Sequence, residues 1–325
     1  MKKLLGITLV VVMLVWLSAL PVMAAPAFVQ ITQPDATYQA STTKIDISGL
    51  TYGSSHSSIT DGTLTVSFDT LMGKRGPVPT GWATWSAPPY SETANPHVLI
   101  TGEEDMTMTL SHPVTTFGFE LEGNMWSVYN YTVDFILMSG PTVVGTITME
   151  IDGYYGARLF AASVGPGESF DKFVIDGDDW SGFAIAQVRY VLAPVAVDVD
   201  IKPCSDPNSI NLRSKGVVPV AVLTTPEFDA ATVDPTTVEL EGVSAVKWEM
   251  ADVCDHEVWD PILMEWVPVG DGDLDLLVYF STPQLAGVLD ASSTEATLTG
   301  WTFGGLPIEG TDSVRIVTKG PHGPP

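Results

Sequence analysis

Basic residues are scarce in this chain: Lys and Arg number 14 against 39 Asp and Glu in 325 residues, a formal net charge of −25. A surface of that sign repels phosphate backbones and anionic headgroups, which excludes electrostatic binding of nucleic acid or docking on anionic lipid. Cysteine is nearly absent, with only Cys204 and Cys254. The five histidines (His56, His97, His112, His256 and His322) show no i,i+4 pair and no metal-ligand spacing, so no zinc centre is expected. There is no G-x-S-x-G elbow and no glycine loop for phosphate. No amphipathic helical stripe runs along the chain, and after the first 24 residues no apolar run is long enough to span a bilayer.

What is present begins with an export signal. Lys2 and Lys3 precede a nearly all-apolar run from Leu4 to Leu20, and Val22-Met-Ala24 supplies small residues at a cleavage site. Residues 1–24 therefore read as a secretory signal peptide rather than an uncleaved anchor. The expected location is extracellular or at the cell surface, with no membrane span once the leader is removed. In an oxidising compartment Cys204 and Cys254 are expected to pair. Closing a loop of about 50 residues, such a bridge contributes roughly 4 kcal/mol on the chain-entropy model. Two buried free thiols are the alternative.

The hydrophobic share of 45% is enough to fill real cores, and the length suits two domains. Period-two alternation dominates. Met106, Met108 and Leu110 alternate with polar residues, as do Val133, Phe135 and Leu137. The same pattern holds for Val143, Gly145, Ile147, Met149 and Ile151, and for Ala184, Ala186, Val188 and Tyr190. Asp-Gly and Gly-Pro pairs punctuate these runs, and together they predict antiparallel strands throughout. The fold class expected is all-β, with two antiparallel β-sandwich domains. After the leader and an N-terminal extension (25–44), residues 45–193 form a jelly-roll-like sandwich. Residues 194–319 form an immunoglobulin-like sandwich, with one short helix near 283–289 and a frayed tail at 320–325.

Specific runs in the second half carry a resemblance. They are Asp200-Ile-Lys-Pro-Cys-Ser-Asp-Pro-Asn-Ser-Ile-Asn, Gly216-Val-Val-Pro-Val-Ala-Val-Leu-Thr-Thr, Phe228-Asp-Ala-Ala-Thr-Val-Asp-Pro and Ile308-Glu-Gly-Thr-Asp-Ser-Val. Residues 195–318 resemble an extracellular module of secreted bacterial and archaeal proteins that reads DIKPGSDPNSIN, GVIPVAILTT, FDATTVDP, EDVDGDGDLDL and IEGTDSV in turn. More loosely, residues 60–192 resemble sandwich modules of exported surface proteins of the PEP-CTERM kind. That likeness rests on Gly81-Trp-Ala-Thr-Trp-Ser-Ala-Pro-Pro, Val114-Thr-Thr-Phe-Gly-Phe-Glu and Phe183-Ala-Ile-Ala-Gln-Val-Arg-Tyr. The chain departs from the first module in two places: Cys204 replaces a glycine, and an insertion at 254–268 splits the acidic run. Each departure brings one cysteine, which implies that a bridge ties the insertion to the first turn.

Two sets of residues are candidates for binding. Asp271-Gly-Asp273-Leu-Asp275 places carboxylates at alternate positions on a turn, a pattern that converges oxygens on Ca²⁺ or, equally simply, caps backbone amides in a hairpin. The module resemblance adds Asp252 as a first ligand. Trp82, Trp85 and Tyr90 lie in a Gly/Pro-rich loop, where aromatic rings either form a stacking platform for sugars or cover the edge of a sandwich. With no catalytic set visible, a non-enzymatic secreted or surface protein for adhesion, display or matrix structure is expected, with Ca²⁺ in its second domain. Binding of a polysaccharide or cell-surface component through the loop aromatics is the alternative, and a two-carboxylate glycoside hydrolase is a third.

Overall fold

The computed structural model of the chain describes residues 28–136, 142–253, 256–260, 262 and 264–317, with the backbone alone for 256–260 and 265–269. Residues 1–24, expected to be an export signal, lie outside the described residues, as do Leu137, Cys254 and the tail 320–325. The fold is all-β, of the sandwich class. Its α-helices are two short ones, Ala36–Ser41 and Thr282–Leu285, among the described residues. Among these residues no helix is long and apolar enough to cross a membrane.

Eleven strands between Val29 and Leu192 join into one hydrogen-bonded sheet that folds on itself. The strand Met106–Gly123, 18 residues long, explains how. Its residues 106–110 pair with Thr65–Arg75 on one side and Phe170–Gly177 on the other. Its residues 114–123 pair instead with Arg158–Ser163 and Phe183–Leu192. Pro113 lies between the two parts and has no N–H to give a ladder, so the chain changes layer there. Thr65–Arg75 makes a second crossing, since residues 73–75 pair with Val98–Ile100, which in turn pairs with Phe183–Leu192. The space enclosed is filled by phenylalanines. Phe117 stacks on Phe173 at 4.2 Å between centroids, and Phe135 meets Phe170 and Phe173 edge-on at 5.3 and 5.2 Å. Met106, Met108, Leu110, Val133 and Phe135 are buried in this core, as their alternation implies.

The strand Phe183–Leu192 departs from its sequence reading. Ala184 and Ala186 do not share a face with Val188 and Tyr190. Gln187, at φ 54°, sits in a register shift against the long strand, and the extra residue reverses the parity. Phe183, Ile185, Val188 and Tyr190 enter the main core, while Ala184 and Ala186 pack under Trp85 and Val78 on the opposite face. This outer face is covered rather than wet. The helix Ala36–Ser41 lays Tyr38 on Leu159 and Ala161, and the loop 76–97 covers the rest.

In the second half, Val195–Ala196, Pro307–Ser313, Glu295–Thr302, Val233–Leu240 and Val243–Ser244 form one sheet. A second sheet holds Val199–Ile201, Val217–Val222, Asp275–Ser281 and Lys247–Ala251. They enclose a mostly aliphatic core, with Phe280 in it, that shares no buried residue with the first. Val217–Val222 is paired on both sides, which suits its unbroken apolar run. Two pairings are parallel, against the antiparallel expectation: Val195–Ala196 with Pro307–Ser313, and Ser209–Asn211 with Arg315–Val317. In both, the opening of the second half runs beside its closing strands in the same direction. The insertion forms a hairpin, His256–Asp260 with Glu265–Val269. Among the described residues no cysteine is free, but the expected partner of Cys204 lies outside them.

Gly118 is the point where cover and sheet touch most closely. A Cβ there would meet Ala161 Cβ and, at 2.5 Å, the Tyr38 hydroxyl. Gly118→Ala is expected to lower stability by roughly 1–3 kcal/mol through overpacking, read as a lower urea midpoint with unchanged m. An unchanged midpoint would show that the helix cover yields freely.

Candidate functional site

The second face of the Met106–Gly123 strand carries Glu120 and Glu122, both 0% exposed. Buried carboxylates need donors, and the loop 76–97 brings them. Trp85 Nε1 donates to Glu120 Oε2 at 2.8 Å, and the Glu92 amide donates to Oε1 at 2.6 Å. Trp82 Nε1 donates to Glu122 Oε2 at 2.7 Å, while the Gly156 amide and Thr84 Oγ1 donate to its Oε1 at 3.1 and 3.2 Å. Burial pushes Glu120 up to about 8 despite the Trp85 and Glu92 hydrogen bonds, and burial raises Glu122 as well. Glu92 receives Arg189 Nε at 2.5 Å and Nη2 at 3.2 Å. Arg189 Nη1 also donates to the carbonyls of Gln39 and Thr42, so one guanidinium joins loop, helix and sheet.

The aromatic platform expected at Trp82, Trp85 and Tyr90 is therefore not built. Trp85 is 1% exposed and spends its N–H on Glu120, and Trp82 is half-buried on Glu122. Tyr90 is exposed but stands apart, with the Arg158 guanidinium 4.3 Å from its ring centre. These indoles lie inward because an outer face bearing two carboxylates needs both a donor and an apolar cover, and indole supplies both. The covered carboxylates cannot reach a substrate.

Exposed rings gather instead on loops that the sequence reading passed over. Trp126 is 71% exposed, and Tyr154 and Tyr155 are also exposed. Trp126 and Tyr154 lie 5.4 Å apart between centroids, and Tyr154 and Tyr155 lie 4.6 Å apart. Two features hold them together. Asp179, fully buried, accepts from Met125 N, Ser181 N and Ser181 Oγ, which fixes the Trp126 turn against the next loop. Gly153 lies where any Cβ would strike the Met125 carbonyl, so only glycine lets the tyrosine loop close on that turn. Beside these rings is a groove of about 320 Å³ lined by Gly81, Trp82, Thr84, Asn124 and Trp126. A larger cleft of about 810 Å³, lined by Asp61, Tyr190, Glu239, Trp301 and Glu309 among others, has its Tyr190–Asp61 pair already bonded at 2.6 Å.

The acidic turn is built differently from a four-carboxylate cage. Asp275 is buried and accepts from Thr224 N at 2.9 Å and Val253 N at 3.1 Å. Burial raises its carboxyl, with Asp271 and Asp252 adding to the rise. Asp273 is exposed and gives its amide to Asp271 Oδ1 at 2.8 Å. Among the described residues no group of three His, Cys, Asp or Glu side chains is placed to hold a metal. As they stand, Asp252, Asp271, Asp273 and Asp275 do not fit a calcium cage, and Asp275 serves as a tie between strands.

No protein-family model matches the chain, and no curated protein matches it. Among solved structures it is similar to the enzymatically active domain of bacteriophage CBA120 tailspike protein 4, with 19% identity over 40% of this chain and 19% of that one, TM-score 0.25. It is also similar to a family 11 carbohydrate-binding module of a Clostridium thermocellum cellulosomal cellulase, with 12% identity over 47% of this chain and 95% of that one, TM-score 0.22. A third is the adhesin domain of Epf from Streptococcus pyogenes, with 9% identity over 80% and 82%, TM-score 0.23. At such scores the functional reading rests on the chain's own residues.

The Glu120 cover has a pH signature. Because the folded carboxyl holds its proton to about pH 8 and the unfolded one releases it near 4.5, stability falls as pH rises between those values, by roughly 3–5 kcal/mol in all. Glu120→Gln removes that slope. It also turns an amide N–H toward one of the two donors, which costs about 1–3 kcal/mol at pH 5. Urea midpoints from pH 5 to 9 check both; a slope equal in the two proteins would contradict the assignment.

Proposed function

We propose that this is an exported, non-enzymatic surface protein whose first sandwich binds carbohydrate on the face formed by Trp126, Tyr154 and Tyr155. The observation that carries the reading is the contact among three exposed rings on loops held by Asp179 and Gly153. Contiguous exposed aromatic surface on a rigid scaffold serves binding more often than solubility. Aromatic faces take the C–H side of a sugar ring, and the neighbouring groove adds Thr84 and Asn124 as polar partners for hydroxyls. The basic leader with its apolar run supports export. The acidic surface supports solubility outside the cell, and adhesion to a polysaccharide matrix or a neighbouring cell is the role that fits both.

Affinity electrophoresis through soluble polysaccharides, guided by a glycan array, tests this. The wild type should be retarded by at least one neutral polysaccharide. Trp126→Ala and Tyr154→Ala should each weaken binding by about 0.5–1.5 kcal/mol, roughly 2- to 12-fold in Kd. Trp85→Phe should lower the melting temperature and leave affinity alone. No retardation by any polysaccharide, or full binding by both ring variants, would sink the proposal.

A further inference from the structure

The carboxylates that open and close the second half stand together with an unanswered amide oxygen. Asp312, in Pro307–Ser313, is held by amide donors: Ile201 N and Asn208 Nδ2, each 2.8 Å from Oδ2, and Ser313 N, 2.6 Å from Oδ1. The Ile201 nitrogen belongs to the peptide joining it to Asp200, so the Asp312 carboxylate sits on the backbone beside Asp200, near enough for its charge to act on the Asp200 side chain. The half-buried Asp200 carboxylate has no hydrogen bond or ion pair among the described residues. The nearest basic residue in sequence, Lys202, turns its ammonium to the Ser209 carbonyl at 2.9 Å. Burial and the Asp312 charge push Asp200 up to about 6.

Asn208 supplies an independent observation. It is 8% exposed, and its Nδ2 donates to Asp312 Oδ2 and to the Ser313 carbonyl at 3.1 Å. Both partners are acceptors, so the amide orientation is fixed. Its Oδ1 is buried without a hydrogen-bond partner. The oxygen and nitrogen of an amide are about 2.3 Å apart, which sets this orphan acceptor in the neighbourhood of the Asp312 carboxylate. An unsatisfied buried oxygen next to two acids, with no cation supplied by the chain, is an arrangement that something from outside completes.

We propose that Asp200, Asn208 and Asp312 form a binding site for a hard divalent cation, calcium in preference to magnesium. Asp200 offers both oxygens, Asn208 its Oδ1, and Asp312 the unused lone pair of its Oδ1. Water on the open side completes the roughly six to eight oxygens that calcium accepts in irregular geometry, whereas magnesium demands a near-ideal octahedron. The ion ties Val199–Ile201, the turn before Ser209–Asn211, and Pro307–Ser313 into one corner. It is a different site from the acidic turn at 271–275.

The test is a thermal melt of the full mature chain in EDTA, in millimolar CaCl₂ and in millimolar MgCl₂. The wild type should gain about 5 °C in calcium and less in magnesium. Asp200→Asn, which keeps shape and removes the unpaired charge, should abolish the gain, and Asp271→Asn should retain it. Isothermal titration with CaCl₂ at 25 °C should show one site in the wild type and in Asp271→Asn, and none in Asp200→Asn. No response in the wild type, a response that survives Asp200→Asn, or one that Asp271→Asn abolishes equally would overturn the assignment.

Discussion

From Phe117 to Gly123 the long strand is buried on both faces, yet it carries Glu120 and Glu122 there, and much of the first half follows from satisfying them. One face of this strand holds Phe117, Phe119 and Leu121 in the aromatic core, which is ordinary sandwich chemistry. The other face has to find four or more hydrogen-bond donors out of water. That requirement folds the loop 76–97 down, sets both indoles inward, and draws Glu92 to Arg189. The N-terminal helix then closes the remaining outer face through Tyr38. A network of this kind stabilises only when complete, because each donor removed leaves a buried carboxyl group short by one partner.

Scarcity of positive charge gives the two halves different characters. The first half buries two of its cations. Lys74, 1% exposed, donates to the Arg75 carbonyl and meets His97 Nδ1 at 2.7 Å, and Arg189 serves three segments at once. The second half has no comparable interior cation among the described residues. Among the described residues its one ion pair, Lys247 with Glu249, is exposed and adds little. Asp275 is therefore answered by backbone amides, Asp312 by the Ile201 and Ser313 amides and the Asn208 side chain, and Asp200 is raised by burial and the Asp312 charge.

Backbone conformation bears on the position where the sequence departs from the expected module pattern. Cys204 stands at φ 68°, the left-handed region in which glycine is at ease and other residues cost about 1–2 kcal/mol. The glycine of the expected module pattern suits that conformation, and a cysteine kept there carries the cost.

Strand periodicity, the two separate cores, the short helix after Thr282 and the central run Val217–Val222 were legible in the chain, because local alternation and turn residues encode them directly. The parity reversal at Gln187 was not, since a bulge is decided by the partner strand and not by the residue itself. Trp82 and Trp85 read as loop aromatics, and nothing local reveals that Glu120 and Glu122, about 35 to 40 residues further on, require their N–H groups. The ring cluster of Trp126 and Tyr154 was hidden for the same reason: only the closure of Gly153 on the Met125 carbonyl brings them together. Composition and alternation thus determined the class of fold and the sign of the surface. Which side chains face water, which acids are paired, and where rings or oxygens converge depended on contacts between residues far apart in the chain, and these exist only once the sheets have closed.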